Sequence, residues 1–198
     1  FLASSVNRAS QIIIISSPSG AGKTSICKRL LEDDDIIRIS ISDTTRVPRA
    51  NEIDGIDYNF ISHNKFRAKI INKEYAEYAE VFGNYYGSLH KNVMKHLNDG
   101  YDVLFDIDWQ GAHQLKNSNY SNILSFFIVP PSKKAIYNRL LSRSLKSGDN
   151  EEDINKRMLL YDTEISHKEE YDHVIINDEL DICVSKIQNL ILEKRKYL

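Results

Sequence analysis

Ile12-Ile13-Ile14-Ile15 runs directly into Ser16-Ser17-Pro18-Ser19-Gly20-Ala21-Gly22-Lys23-Thr24, and this join constrains the fold more than any other stretch. Four β-branched apolar residues in succession predict a strand covered on both faces, as in a parallel sheet. From Ser17 to Thr24 the chain fits GxxxxGK[ST] at every place but the first, where Ser17 stands in place of glycine. A loop of this kind needs small residues so that successive backbone N–H groups can turn inward around an anion. The N-terminus of the following helix adds its partial positive charge. Ser17, Pro18, Ser19, Gly20, Ala21 and Gly22 are therefore read as the cradle, with Gly20 and Gly22 supplying the conformational freedom. Lys23 reaches the β- and γ-phosphates of a nucleoside triphosphate, and the Thr24 hydroxyl ligates Mg²⁺, which takes hard oxygen donors. A plain strand-to-helix turn would explain Gly-Ala-Gly, but it has no need of Lys-Thr at this spacing.

Composition narrows the remaining classes. A chain of 198 residues with 41% hydrophobic and 27% charged residues has the balance of a soluble globular protein. Its 26 Lys and Arg against 28 Asp and Glu leave a net charge of −2, which gives no general attraction to nucleic acid or to an anionic membrane. Phosphate binding must then be local. Cys27 and Cys183 are too few for a disulfide framework and form no metal-ligand pair, so a reducing, cytoplasmic compartment is expected. No apolar stretch approaches the roughly 20 residues that span a bilayer. The first residue is Phe rather than Met, and residues 1–10 are read as an N-terminal extension outside the fold.

Periodicity predicts a helix from Lys23 to Glu32, a half-exposed strand through Ile37, Ile39 and Ile41, and a loop or hairpin over residues 43–57. A short strand at Tyr58–Ile61 follows, then a helix capped by Ser62 and running to Asn72, then a strand at Tyr75–Val81. A turn at Gly83-Asn84 leads to a helix over Ser88–Asn98, stopped by Gly100, and to an apolar strand over Tyr101–Ile107. Beyond it lie a strand at Ile123–Val129, a helix from Ser132 to Arg143 and a second from Glu151 to Tyr171. The chain closes with a strand at His173–Asn177 and a helix over Glu179–Tyr197. Alternating strands and helices predict an α/β fold with a mainly parallel sheet. Residues 42–88 break the alternation and suit an inserted substrate-binding subdomain. The basic helix-loop-helix over 131–171 suits a lid.

Two further groups carry chemistry. Asp106 and Asp108 follow an apolar strand, where a second acidic element of a phosphate-loop enzyme meets the metal or the bound substrate; capping of the next helix by one or both is the alternative. Arg46 and Arg49 flank Val47-Pro48 at a strand exit, two guanidinium forks three residues apart on a segment stiffened by proline, which suits a small anion. Tyr58, Tyr85 and Tyr86 can add phenolic donors. A solvated loop explains the arginines equally well, and hairpin packing explains the tyrosines.

With these residues set out, the chain resembles the guanylate kinase family. Ser40-Ile41-Ser42-Asp43-Thr44-Thr45-Arg46-Val47-Pro48-Arg49, Gly55-Ile56-Asp57-Tyr58-Asn59-Phe60, Glu80-Val81-Phe82-Gly83-Asn84-Tyr85-Tyr86-Gly87-Ser88 and Asp106-Ile107-Asp108-Trp109-Gln110-Gly111 look like its signature blocks, in order. The resemblance implies a single phosphate-loop NTPase domain over residues 11–198, a three-layer α/β fold. Its core comprises 11–41, 89–130 and 172–198, its GMP-binding subdomain 42–88 and its lid 131–171. It implies transfer of the γ-phosphoryl group of ATP to GMP or dGMP, with ATP and Mg²⁺ bound, the metal held by Thr24 and Asp106. Arg46, Arg49, Tyr58 and Tyr86 are carried over to the GMP phosphate, Ser42, Glu77 and Ser88 to the guanine, and Asp106 and Asp108 to the substrate side. Arg139, Arg143 and Arg157 match the arginines that close over the triphosphate and Asn177 a residue beside the adenine. The bland reading of the lid arginines is an exposed basic helix face.

Chemistry supports the guanine assignment. Guanine presents N1–H and an exocyclic amine, both donors, so one ionised carboxylate such as Glu77 can accept from both, while a serine hydroxyl donates to O6. Adenine presents the reverse. Two departures stand out: Ser17 at the first loop position, and a longer step between Arg143 and Glu151-Glu152, over residues 144–150. The rival readings are a kinase for another nucleoside monophosphate and a non-catalytic module that binds phosphorylated peptides through the same arginines. Neither a nucleic acid nor a membrane is expected as a partner, and a homodimer is compatible with the sequence.

Overall fold

The computed structural model describes residues 8–147 and 150–198, without the side chains of Arg143 and residues 145–147. The expectation for residues 1–10 therefore lies largely outside the described residues, and so does the side-chain role given to Arg143. By its internal contacts the chain divides into two compact units, one comprising the residues up to Ile13 and Ile36–Ile123, the other Ile14–Asp35 and Leu124–Tyr197.

A five-stranded sheet has the order β2-β7-β1-β8-β9, with β1 at Ile12–Ser16, β2 at Ile37–Ile39, β7 at Asp102–Asp106, β8 at Ile123–Val129 and β9 at His173–Ile176. Its β2/β7 and β8/β9 pairs are parallel. Ile12, Ile13, Ile14 and Ile15 are fully buried, as are Val103, Leu104 and Phe105 of β7, which is the both-faces burial that an unbroken apolar run needs. At the edge, β9 exposes Val174 and Ile176 and buries Ile175, so only one face is covered.

In the second unit, β1 feeds α1 (Lys23–Asp33), whose Ile26, Cys27 and Leu30 are buried. α5 (Lys133–Ser147) and α6 (Glu151–Ser166) follow β8, and α7 (Leu180–Arg195) packs along α1. A capping box at Asn150, reciprocated by Asp153, fixes the start of α6. The expected continuous helix from Glu151 to Tyr171 is corrected. α6 stops at Ser166, and a 3-10 turn over Lys168–Glu170 turns the chain so that Tyr171 can bury its ring against Phe127.

The first unit carries a four-stranded sheet of order β4-β3-β6-β5, from β3 (Asp43–Thr44), β4 (Asn59–Phe60), β5 (Tyr75–Val81) and β6 (Asn84–Leu89). Four expectations change here. Asp43 and Thr44, expected within a loop or hairpin, form a sheet strand because both edges find partners: Asn59 and Phe60 in parallel on one side, Gly87 and Tyr86 antiparallel on the other. Residues Asn84–Leu89 are a strand rather than a turn and a helix start, and α3 begins only at His90, running to Asn98. The hairpin turn falls at Phe82-Gly83, both with positive φ (52° and 75°), which is the turn whose twist suits a tight hairpin. β2 ends at Ile39, two residues short of Ile41.

α2 (His63–Ile71) is capped by Ser62, whose Oγ accepts the Lys65 N–H. It sets Phe66 in a ring stack between Tyr75 and Tyr85, at 4.5 Å and 5.3 Å. Gly87 faces that stack, and a Cβ there would lie 2.9 Å from Tyr75 and 3.0 Å from Phe66. Asp43 is 1% exposed and fully engaged, accepting from Lys69 Nζ at 2.6 Å, the Tyr75 hydroxyl at 2.9 Å and Asn59 Nδ2 at 3.0 Å.

Candidate active site

Each unit presents one cluster of the residues singled out above. In the second unit the chain leaves β1 at Ser16 and turns through Ser17–Gly22 into α1, with Gly20 and Gly22 at φ of 86° and 95°. Gly22 is the N-cap of α1 and supplies no side-chain cap, and the first turn holds no acidic residue. The positive end of the helix is thus left uncompensated by α1 itself, as an anion site requires. Lys23 stands half-buried and Thr24 exposed in that first turn.

Side chains from later in the chain hold this loop by its backbone. Asn177 Nδ2 donates to the Ala21 carbonyl at 2.7 Å, and Arg139 bridges the same carbonyl (3.5 Å) and the Asn177 carbonyl (3.0 Å). A Cβ on Gly22 would sit 2.4 Å from Asn177 Nδ2, so glycine serves both the φ angle and the approach. From α6, Arg157 Nη1 donates to Ser19 Oγ at 2.9 Å, and Glu164 Oε2 accepts the Ser19 N–H at 3.4 Å. Arg139, Arg157 and Asn177 are therefore brought to the loop. Asn177, expected beside adenine, has its amide committed to Ala21. Glu164 went unnoticed in the sequence, where a lone acid on a helix 145 residues from its loop partner carries no signal.

The first unit assembles the other cluster. Ser42 Oγ and Ser88 Oγ lie 3.2 Å apart, and Ser88 is the cross-strand partner of Glu77 on β5. Glu77 and Ser88 are 3% and 0% exposed. A buried carboxylate is costly unless polar partners meet it. The approach is allowed by Gly111, in the first turn of α4 (Trp109–Lys116), where a Cβ would come within 2.5 Å of Glu77 Oε2. Gly111 belongs to the Asp106–Gly111 signature block, and its sequence context carries no signal of this approach.

Beside this group, Arg46 lies over the Tyr58 ring at 5.4 Å and the Phe60 ring at 5.9 Å, and Tyr58 meets Tyr86 edge to face at 5.9 Å. Glu52 grips Arg46 at both terminal nitrogens, 2.9 Å and 2.7 Å. These bonds hold the Glu52 carboxyl below its ordinary range, with the Arg49 N–H and the charges of both arginines adding to the effect. The same bonds, and then Tyr86, strengthen the proton hold of Arg46. Arg49 is exposed, and its N–H donates to Glu52 at 2.8 Å. Tyr85, one of the three phenols considered, packs in the Phe66 stack instead.

The two acids after β7 part company. Asp106 is half-buried at the end of the strand. Asp108 is the N-cap of α4, its Oδ1 accepting the Gln110 and Gly111 N–H groups at 3.0 Å and 3.1 Å, while Oδ2 accepts Gln110 Nε2 at 2.8 Å. The capping alternative thus describes Asp108.

One cluster joins the turn of backbone N–H groups before α1 to a lysine, a threonine and two arginines. The other sets an arginine and two tyrosines beside a buried carboxylate and two hydroxyls. Known proteins resemble this chain along most of its length. The sequence profile of the guanylate kinase family matches residues 9–194. A guanylate kinase from Rickettsia bellii is 48% identical over 185 residues, covering 93% of this chain and 95% of its own length. One from Zymomonas mobilis is 43% identical over 188 residues, covering 95% and 86%. The crystal structure of guanylate kinase from Anaplasma phagocytophilum superposes with a TM-score of 0.79 at 34% identity, covering 95% of this chain and 87% of that one. Profile, relatives and solved structure agree over nearly the whole length, and the chain belongs to the guanylate kinase family.

Proposed function

We propose that the enzyme, an ATP:GMP phosphotransferase, divides its substrates between the two clusters, with ATP on the loop of the second unit and GMP on the Arg46–Glu77 group of the first. The observation that carries the acceptor assignment is the buried Glu77 carboxylate beside paired Ser42 and Ser88 hydroxyls. That set complements the guanine edge, and an adenine would leave the carboxylate without its two donors. Arg46, Arg49, Tyr58 and Tyr86 hold the GMP phosphate. Ser17–Thr24 cradle the triphosphate, and Arg139 and Arg157 steady the loop from the lid. Residues 42–88 serve as the acceptor subdomain and 131–171 as the lid.

No covalent intermediate is needed, because the acceptor phosphate oxygen is itself the nucleophile. Catalysis consists of aligning donor and acceptor phosphates and offsetting their repulsion with Lys23 and the arginines. Excluding water protects ATP from hydrolysis while the acceptor is awaited. The donor set also fits Mg²⁺: Thr24 and Asp106 offer one hard oxygen group each. That pattern suits an ion carried in on phosphate oxygens with one or two protein ligands and several waters. When bound, Mg²⁺ neutralises charge on the β- and γ-phosphates. A cytoplasmic setting fits Cys27 and Cys183, two buried free thiols. Among the described residues no helix is long and apolar enough to cross a membrane.

A coupled ADP-release assay with GMP, dGMP, AMP, UMP and dTMP in turn tests the reading. Turnover confined to the guanine nucleotides supports it. Equal turnover with AMP would reject the role of Glu77, and absence of ADP release with every acceptor would leave only the phosphopeptide-binding alternative.

A further inference from the structure

Glu52 touches both arginines of the acceptor cluster, and nothing so far gives it a function. Its carboxylate takes Arg46 Nη1 and Nη2 end-on at 2.9 Å and 2.7 Å, and Oε2 also accepts the Arg49 N–H at 2.8 Å. The Glu52 N–H returns to the Arg49 carbonyl at 3.0 Å. One residue thereby closes the segment from Arg46 to Glu52 and fixes one arginine by its guanidinium, the other by its main chain. The Arg46 and Glu52 side chains are each 16% exposed, so the pair is partly withdrawn from water.

The donor inventory of Arg46 shows what this arrangement leaves. Nη1 spends its two hydrogens on Glu52 and on the Val47 carbonyl at 2.9 Å, and Nη2 spends one on Glu52. Of the five guanidinium N–H groups, the Nε–H and the second Nη2–H are not used by these bonds and share the guanidinium's other two-point edge, and Tyr86, read above as a phosphate ligand itself, also hydrogen-bonds this guanidinium. A carboxylate bound end-on therefore orients a fork suited to phosphate. The ties to Arg49 also make Glu52 costly to displace, since an incoming anion would have to break all of them.

We infer that Glu52 is a positioning residue for the phosphoryl acceptor: it remains on Arg46 when GMP binds and aims the side edge of that guanidinium, together with the Arg49 segment, at the GMP phosphate. The inference rests on the reading of Arg46 and Arg49 as the phosphate ligands of GMP. The opposite role, a stand-in anion that GMP expels, predicts the opposite sign, because removing a competitor tightens binding.

The test is a double-mutant cycle in KM for GMP and KM for ATP, using Glu52→Gln, Arg46→Ala and the pair. Glu52→Gln keeps the shape and removes the charge. It is expected to raise KM for GMP roughly tenfold or more, the scale of a lost charge-assisted hydrogen bond, with KM for ATP held within about twofold. In the Arg46→Ala background the same change is expected to add little, because its effect passes through Arg46. An unchanged or lowered KM for GMP in Glu52→Gln overturns the inference. A parallel rise in KM for ATP, or loss of the folded state, overturns it too, since either makes Glu52 a general support of the fold. Arg46→Ala with wild-type KM for GMP would instead sink the reading of the phosphate site itself, which separates the two failures.

Discussion

The two clusters to which the nucleotides are assigned are built by different constructions. The loop of the second unit is a backbone device: φ angles at Gly20 and Gly22, an uncapped helix start at Lys23, and carbonyls steadied by Arg139 and Asn177. The acceptor cluster of the first unit is a side-chain device drawn from β3, β5, β6, α4 and the segment around Arg46 to Glu52, with carboxylates at its organising points. Asp43 ties β3 to β4, α2 and β5, Glu52 sets Arg46, and Glu77 sits buried against α4. A backbone site reads any polyphosphate and is written in consecutive residues. A side-chain site can read a base, and it depends on elements far apart in sequence.

The contrast is sharpest at Lys23, the one long side chain that the cradle contributes. Lys23→Ala is expected to lower kcat by on the order of 10² to 10³-fold, the scale of removing a preorganised charge from a developing anion, with circular dichroism unchanged. Wild-type turnover would mean that the backbone alone suffices. On the acceptor side, Glu77→Gln should leave kcat for GMP less affected and cut the ratio of GMP to AMP efficiency by roughly tenfold to a hundredfold. A steady-state comparison of the two acceptors reads this directly. An unchanged ratio would make both clusters mere phosphate sites and erase the distinction.

How much each construction showed in the sequence follows from the same difference. The strand, loop and helix from Ile12 to Asp33 were legible because period, glycine spacing and the Lys-Thr pair are local. So was the Ser62 cap, and β5 and β8 were placed residue for residue. β3 was not, because two polar residues become a strand only when β4 and β6 pair with them. β6 reads in sequence as a turn and a helix start because Gly87 interrupts its pattern, and the reason for that glycine, the Phe66–Tyr75 stack, comes from elsewhere. The family resemblance supplied Ser42, Glu77 and Ser88 as residues, Glu77 from outside the signature blocks, and tertiary structure supplied their meeting. Glu52, Gly111 and Glu164 stayed hidden because each acts on a partner that no local pattern joins to it: a fork six residues back, a carboxylate on another element, a loop N–H 145 residues away. Asp108 had two readings in sequence, and its bonds to Gln110 and Gly111 show that it caps α4.

A smaller effect tests whether the loop is really a matter of backbone. Gly22→Ala places a side chain at a φ of 95° and a Cβ 2.4 Å from Asn177 Nδ2. The expected loss is about 1–2 kcal/mol from the left-handed conformation alone, measured by denaturant unfolding, with a rise in KM for ATP and none for GMP. Asn177→Ala in the same chain removes the close approach but not the φ cost, so it should recover only part of the loss. Full recovery would show that the position is governed by side-chain packing, as in the other cluster.

The smallest effect belongs to acid, and it distinguishes the side built on carboxylates. Glu52 has its folded pKa depressed below the ordinary 4.5, first by the Arg46 bonds and then by the Arg49 N–H and the neighbouring charges. A depressed carboxyl contributes stability that is present above its unfolded pKa and is lost as pH falls through the folded value. The melting difference between the native chain and Glu52→Gln should therefore be constant from pH 7 to about pH 5 and shrink below about pH 4.5. Because the pair is partly solvated, the contribution is no more than about 1 kcal/mol and should weaken with added salt. A difference that persisted at pH 3 would mean that Glu52 stabilises through packing rather than charge, and the acceptor cluster would then owe less to its ionised carboxylates than its geometry implies.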